Sequence, residues 1–91
     1  MTTITNPDGT LAGIFTDGDL RRAIDQGTDI RATRIDTIMT RHSKTIHAEM
    51  LAAEAMRIMD ENRIGTLVVV DADQHPIGVV DLKDLLRAGL A

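Results

Sequence analysis

Two stretches decide the fold: Gly13-Ile14-Phe15-Thr16-Asp17-Gly18-Asp19-Leu20-Arg21-Arg22-Ala23, and Gly78-Val79-Val80-Asp81-Leu82-Lys83-Asp84-Leu85-Leu86-Arg87-Ala88. Glycine, acid, Leu-x-Arg-Ala and the apolar positions recur in the same order. The match extends outward at a constant offset: Asp8 meets Asp73, and Ile4 meets Val69. Self-similarity of this kind marks a repeated supersecondary unit. Each stretch reads as a strand that runs into a helix. Upstream of the first, Met1–Thr5 and Leu11–Phe15 flank Asn6-Pro7-Asp8-Gly9, which predicts a hairpin. Asp17 is the expected N-cap of the helix that follows. Leu20, Ala23 and Ile24 form its apolar face, and Gly27 ends it.

The second copy carries more. Residues 28–34 are polar and read as a linker, and Ile35, Ile38 and Met39 suggest one helical turn. Lys44-Thr45-Ile46 is a strand candidate. Ala48 to Asn62 reads as a helix with Leu51, Ala55, Ile58 and Met59 as its stripe. Thr66–Val70 is a β-branched run of the kind found in buried strands. Asp71–Gln74 turns the chain, Pro76–Val80 returns, and Asp81–Ala88 is a final helix capped by Asp81. Met1 aligns with Thr66, so the first copy lacks the strand and helix that precede the hairpin in the second. The chain therefore reads as a fragment of something longer: a β-β-α half-unit followed by a complete β-α-β-β-α unit, of class α/β (α+β).

Composition narrows the chemistry. The 91 residues include 10 Lys+Arg against 14 Asp+Glu, a net charge of −4. That balance speaks against a nucleic-acid backbone reader. There is no Cys, which excludes disulfides, thiolate metal sites and cysteine nucleophiles. Phe15 is the one aromatic residue, so base stacking on aromatic platforms has little support. Leu67–Val70, the longest apolar run, is far too short for a membrane span. His42, His47 and His75 show no paired ligand spacing, so no metal site is expected. No catalytic constellation is visible, and the chain is not expected to be an enzyme by itself.

The strings Gly13-Ile14-Phe15-Thr16-Asp17-Gly18-Asp19 and Gly78-Val79-Val80-Asp81-Leu82-Lys83-Asp84 resemble the signature of the cystathionine-β-synthase (CBS) domain. In that signature a glycine, two apolar residues and a Ser or Thr are followed by an Asp three positions on. In the second copy Asp81 stands where the hydroxyl should be. The resemblance divides the chain into the back half of a first CBS motif (1–27), a linker (28–34) and a second motif (35–91). More narrowly, residues 13–22 and 84–89 look like the C-terminal part of arabinose 5-phosphate isomerases. In those proteins a separate N-terminal sugar isomerase domain performs catalysis, in the supply of the lipopolysaccharide sugar Kdo.

The resemblance implies a nucleotide cleft between repeats. It would join Thr16, Asp17 and Asp19 to Arg41, Lys44, Thr45 and Ile46, and to Ile64, Gly65 and Thr66. Asp19 would accept ribose hydroxyls. Thr16 and nearby N–H groups would donate to a phosphate. Arg41 and Lys44 would supply positive charge, and the backbone around Ile46, Gly65 and Thr66 would read the base. The opposite cleft, built on Asp81 and Asp84, should be empty or degraded, because Asp81 repels phosphate. CMP-Kdo is the feedback effector that the isomerase resemblance suggests, with AMP or ATP the rival. The resemblance also implies a bacterial, cytoplasmic protein that dimerises through CBS helices, with a tetrameric parent. The same residues admit a second reading: Asp17 and Asp81 are caps in any case, Arg41 and Lys44 are solvated, and Ala52, Ala53, Ala55 and Ala88 serve a ligand-free oligomerisation module.

Overall fold

The computed structural model describes residues 1–89 and divides into two compact units, Met1–Ser43 and Lys44 onward. The first unit holds β1 (Thr2–Thr5), β2 (Leu11–Phe15), α1 (Asp17–Asp25) and a single 3-10 turn, Ile35–Thr37. Strands β1 and β2 pair antiparallel. Their turn closes with Gly9 N–H donating to Asn6 O at 2.9 Å, and Gly9 lies at φ 90, where an L side chain is strained. After the turn Ile35–Thr37 the chain returns to β2. Ile14 and Thr40 exchange two backbone hydrogen bonds of 2.9 Å each. This bridge places residues 38–40 with the hairpin, so the compact-unit boundary falls later in the chain than the repeat boundary.

The second unit holds β3 (Thr45–His47), α2 (Ala52–Asn62), β4 (Thr66–Val70), β5 (Pro76–Asp81) and α3 (Leu82–Arg87). The sheet order is β3-β4-β5, with β3 parallel and β5 antiparallel to β4. Central position explains the apolar run that follows Thr66 in β4: Leu67, Val68, Val69 and Val70 are all buried, Leu67 at 0 % exposure. Leu67 and Val69 join Ile46, Ala55, Met59 and Leu85 in one cluster, so α2 and α3 cover this face of the sheet. Full burial of a side chain such as Leu67 contributes about 1.5–3 kcal/mol.

The repeat is reproduced in register. Pairs Thr2↔Phe15, Thr3↔Ile14, Ile4↔Gly13 and Thr5↔Leu11 answer to Leu67↔Val80, Val68↔Val79, Val69↔Gly78 and Val70↔Pro76. Each hairpin has its irregularity at the same step, leaving Ala12 in one and Ile77 in the other as the additional residue. The positive-φ position recurs too: Gln74, at φ 67, stands where the first copy has Gly9.

Three local expectations are corrected. Helix α2 begins at Ala52, not Ala48, because Met50 N–H turns back to His47 O at 3.1 Å and Leu51 is extended at φ −68, ψ 143. Leu51 is therefore a cap position, 77 % exposed, rather than part of the apolar stripe. In α1 the N-cap is Thr16, not Asp17, and the buried positions are Asp19 and Ala23, while Leu20 and Ile24 are exposed. The other end of α2 falls at Asn62 as expected, with Arg63 as its C-cap in the left-handed region at φ 54.

Candidate functional site

The Thr-x-x-Asp element of the first unit is a closed hydrogen-bonded knot. The Thr16 hydroxyl accepts from the Asp19 N–H at 3.1 Å. The Asp19 Oδ2 accepts in return from the Thr16 N–H at 2.9 Å and from its hydroxyl at 3.0 Å. This is a capping box with Asp in the place of the usual Glu or Gln, and it satisfies donors that a helix start leaves orphaned. The other oxygen, Oδ1, accepts from the Thr40 hydroxyl at 2.9 Å and from Arg22. Asp19 is 4 % exposed, the only buried charged residue among those described. Burial alone would raise its pKa. The donors from Thr16 and Thr40, with Arg22 beside them, outweigh that and hold the carboxyl below its ordinary value.

Every acceptor position on Asp19 is thus engaged within the first unit. A ligand hydroxyl reaching this carboxylate has to displace Thr40 or Arg22. Thr40 and Arg22 were not among the residues expected here. The Arg22 contact sits at helical i, i+3 spacing and was legible. The Thr40 contact spans a linker and leaves no local trace.

Glycine at 13 has a steric cause. A Cβ there would lie 2.6 Å from the Thr40 carbonyl oxygen and 3.0 Å from Met39 Sδ. The close approach of residues 39–40 to β2 requires the bare backbone, and it delivers the Thr40 hydroxyl to Asp19. At Gly78 the nearest atom to such a Cβ is 3.9 Å away.

The remaining expected residues divide between the units. In the first, Asp17 is exposed in the first turn of α1. Arg41 lies elsewhere, donating to the Asp36 carbonyl at 2.9 Å at the edge of a cavity shared with the hairpin turn. That cavity includes none of Thr16, Asp17 and Asp19. In the second unit Lys44 is exposed, Thr45 is half-buried on β3, and the Ile46 side chain belongs to the core, leaving its backbone for recognition. Ile64, Gly65 and Thr66 lead into β4. The Gly65 carbonyl accepts from Leu82 N–H at 2.8 Å, and the Thr66 hydroxyl lies 3.4 Å from Asp81 Oδ2. Among the described residues neither Arg41 nor Lys44 is ion-paired, and no cluster of His, Asp and Glu could hold a metal.

The second copy's element is built differently. Asp81 caps α3 through the Lys83 N–H at 2.8 Å, and Asp84 is exposed and does not return to the cap. The knot of the first copy has no equivalent there.

The profile of the CBS domain matches residues 35–91. The chain belongs to the CBS domain family. Curated relatives are arabinose 5-phosphate isomerases: the Pseudomonas aeruginosa enzyme is 60 % identical over 99 % of this chain, and the Escherichia coli K12 enzyme 42 %. The chain spans 28 % and 27 % of their lengths. Among solved CBS structures, the CBS pair of protein MJ0100, in complex with 5′-methylthioadenosine and S-adenosyl-L-methionine, superposes with TM-score 0.85 at 29 % identity, covering 96 % of this chain and 70 % of that one. The protein CBSX2 in complex with AMP superposes at TM-score 0.81 and 26 % identity, covering 97 % and 69 %. The CBS fold that the resemblance implied is the fold observed, and its relatives include the isomerases that the motif strings resembled. None of the described helices is long and apolar enough to cross a membrane.

Proposed function

We propose that this chain is the regulatory CBS portion of a bacterial, cytoplasmic arabinose 5-phosphate isomerase, without catalytic groups of its own, and that it senses a nucleotide or nucleotide-sugar. The observation that carries the reading is the 60 % identity to an isomerase over 99 % of the chain, though the chain spans only 28 % of that enzyme. A segment outside the chain would hold the sugar isomerase domain. Adenosine ligands in CBS structures at 29 % and 26 % identity support the nucleotide class.

The effector cleft is proposed on Thr16, Asp17, Asp19, Arg41, Lys44, Thr45, Ile46, Ile64, Gly65 and Thr66. CMP-Kdo, the activated product of the pathway that the isomerase feeds, is the proposed feedback effector, and AMP or ATP is the alternative. Binding would act by favouring one of two arrangements of the parent protein. Titration calorimetry of the chain with CMP-Kdo, AMP and ATP tests this. Saturable heat with one of them, lost in Asp19→Ala and kept in Asp84→Ala, is expected. Absence of heat with all three overturns the sensing reading.

A second reading is favoured by the closed state of Asp19, whose four acceptor contacts are all internal. On it the signature is purely a structural cap and the chain is a homo-oligomerisation module. A dimer by light scattering whose melting temperature ignores every nucleotide would select this reading.

A further inference from the structure

The cavity beside the hairpin turn of the first unit has a composition unlike the rest of this acidic chain. Its volume is about 440 Å³, within the range of small-molecule sites. Ile4, Ala12 and Met39 are among its apolar lining, and Arg34 and Arg41 stand with Asp36 at its polar side. One residue gathers both arginines. Asp36 takes Arg34 on its carboxylate as a fork, with Nε 3.2 Å from Oδ1 and an Nη 2.9 Å from Oδ2. Its backbone carbonyl takes Arg41 at 2.9 Å. Arg34 is neutralised by this pairing and Arg41 is not, so the cluster carries one uncompensated positive charge in a chain of net charge −4.

Two guanidiniums held on one residue repel each other, and an anion between them relieves that repulsion. Each keeps N–H groups that its contact with residue 36 does not use. Guanidinium forks match the oxygen geometry of a phosphate. The Asp36 carboxylate restricts the anion to the side of the arginines away from it. The lining holds no aromatic ring, so nothing here stacks a base.

We propose that this cavity binds a small organic phosphate monoester, its phosphoryl group on Arg34 and Arg41 and its body over Ile4, Ala12 and Met39. The site is separate from the Thr16/Asp19 knot; Arg41 is the one residue it shares with the proposed effector cleft.

The test is NMR titration of the full chain with inorganic phosphate and with ribose 5-phosphate. Amide shifts confined to Ile4, Ala12, Arg34, Asp36, Met39 and Arg41 are expected. Ribose 5-phosphate should bind about 10-fold more tightly than phosphate, the effect of one added net contact of about 1.4 kcal/mol. Arg41→Gln should weaken it by about 10-fold, as expected for losing one charge-assisted contact. Both side chains are exposed, and an unchanged spectrum elsewhere verifies the fold of Arg41→Gln and Arg34→Gln. Shifts scattered over the surface, equal affinity for the two probes, or full affinity in both variants would each overturn the proposal. Absence of any shift at the cavity with ribose 5-phosphate overturns it without touching the nucleotide reading, which the calorimetry tests at Asp19.

Discussion

Replacing Gly13 with alanine should damage the first unit, while the same change at Gly78 should not. The two glycines occupy equivalent register positions in the two hairpins, Gly13 opposite Ile4 and Gly78 opposite Val69. Only one is crowded. An alanine Cβ at position 13 meets the Thr40 carbonyl oxygen at 2.6 Å, well inside contact distance, and the obstacle is backbone. The segment of residues 38–40 must retreat. Overpacking of this kind costs about 1–3 kcal/mol. Retreat also strains the paired Ile14–Thr40 hydrogen bonds and withdraws the Thr40 hydroxyl from Asp19, about 1 kcal/mol for each bond lost. A total near 2–4 kcal/mol follows for Gly13→Ala. For Gly78→Ala the new Cβ meets only Val69 at an ordinary contact distance of 3.9 Å and φ is ordinary, so the change should be neutral or stabilise by a few tenths to about 1 kcal/mol. Urea denaturation followed by circular dichroism gives the totals, and amide exchange at Thr40 reports the bridge locally. Thr40 protection should collapse in Gly13→Ala and stay unchanged in Gly78→Ala. Equal stabilities for the two variants, or an intact Thr40 amide in Gly13→Ala, would refute the account of why position 13 is glycine.

The Asp19 knot predicts that Asp19→Ala lowers stability by about 2–3 kcal/mol through loss of the cap and of the Thr40 bond, measured by the same denaturation. Asp84→Ala, on an exposed residue with no such bonds, should stay within about 0.5 kcal/mol. The depressed Asp19 pKa fixes the sign of an acid dependence. Its contribution is complete above the unfolded value near 3.8 and is lost as pH falls below that through the folded value, so wild type should lose more stability than Asp19→Asn between neutral pH and strong acid. Leu67→Ala, at 0 % exposure in the centre of β4, should cost about 2–5 kcal/mol by thermal melting, with smaller losses if the surrounding strands collapse into the space.

Much of the fold is legible in the sequence because its signals are local and occur twice. Pro7 and Gly9, the Asp71–Gln74 turn and the apolar run Leu67–Val70 mark both hairpins, and the constant offset between the copies carries through to strand register. Helix ends were less legible. Ala48, Glu49 and Met50 are good helix formers, yet the chain spends them on the turn closed by His47 O. Capping chemistry at Thr16 and Asp17 is ambiguous in one dimension, since either residue could accept from a helix N–H. Only the return bond from Asp19 decides between them. The role of Thr40 depends on a contact with Asp19 across 21 positions of sequence, which no periodicity encodes. The contact of Arg41 with the Asp36 carbonyl was not legible either, because it follows from the path of the turn Ile35–Thr37.

The irregularity at Ala12 also bears on how the first hairpin avoids mispairing. Strand β1 is Thr2-Thr3-Ile4-Thr5, with a single aliphatic side chain to tell one face from the other. A slip by one residue would move one aliphatic side chain, Ile4, to the other face, so side-chain burial penalises it weakly. Strand β4 is no better marked by its side chains, since Leu67 through Val70 are all buried and a slip exchanges valine for valine at two positions. The extra residue in β2 gives the first hairpin a mechanical index: Ala12 marks the step between Ile4 and Thr5, and the neighbouring Gly13 holds that step against Thr40. Ile77 marks the equivalent step of the second hairpin, so backbone shape indexes the register in both copies.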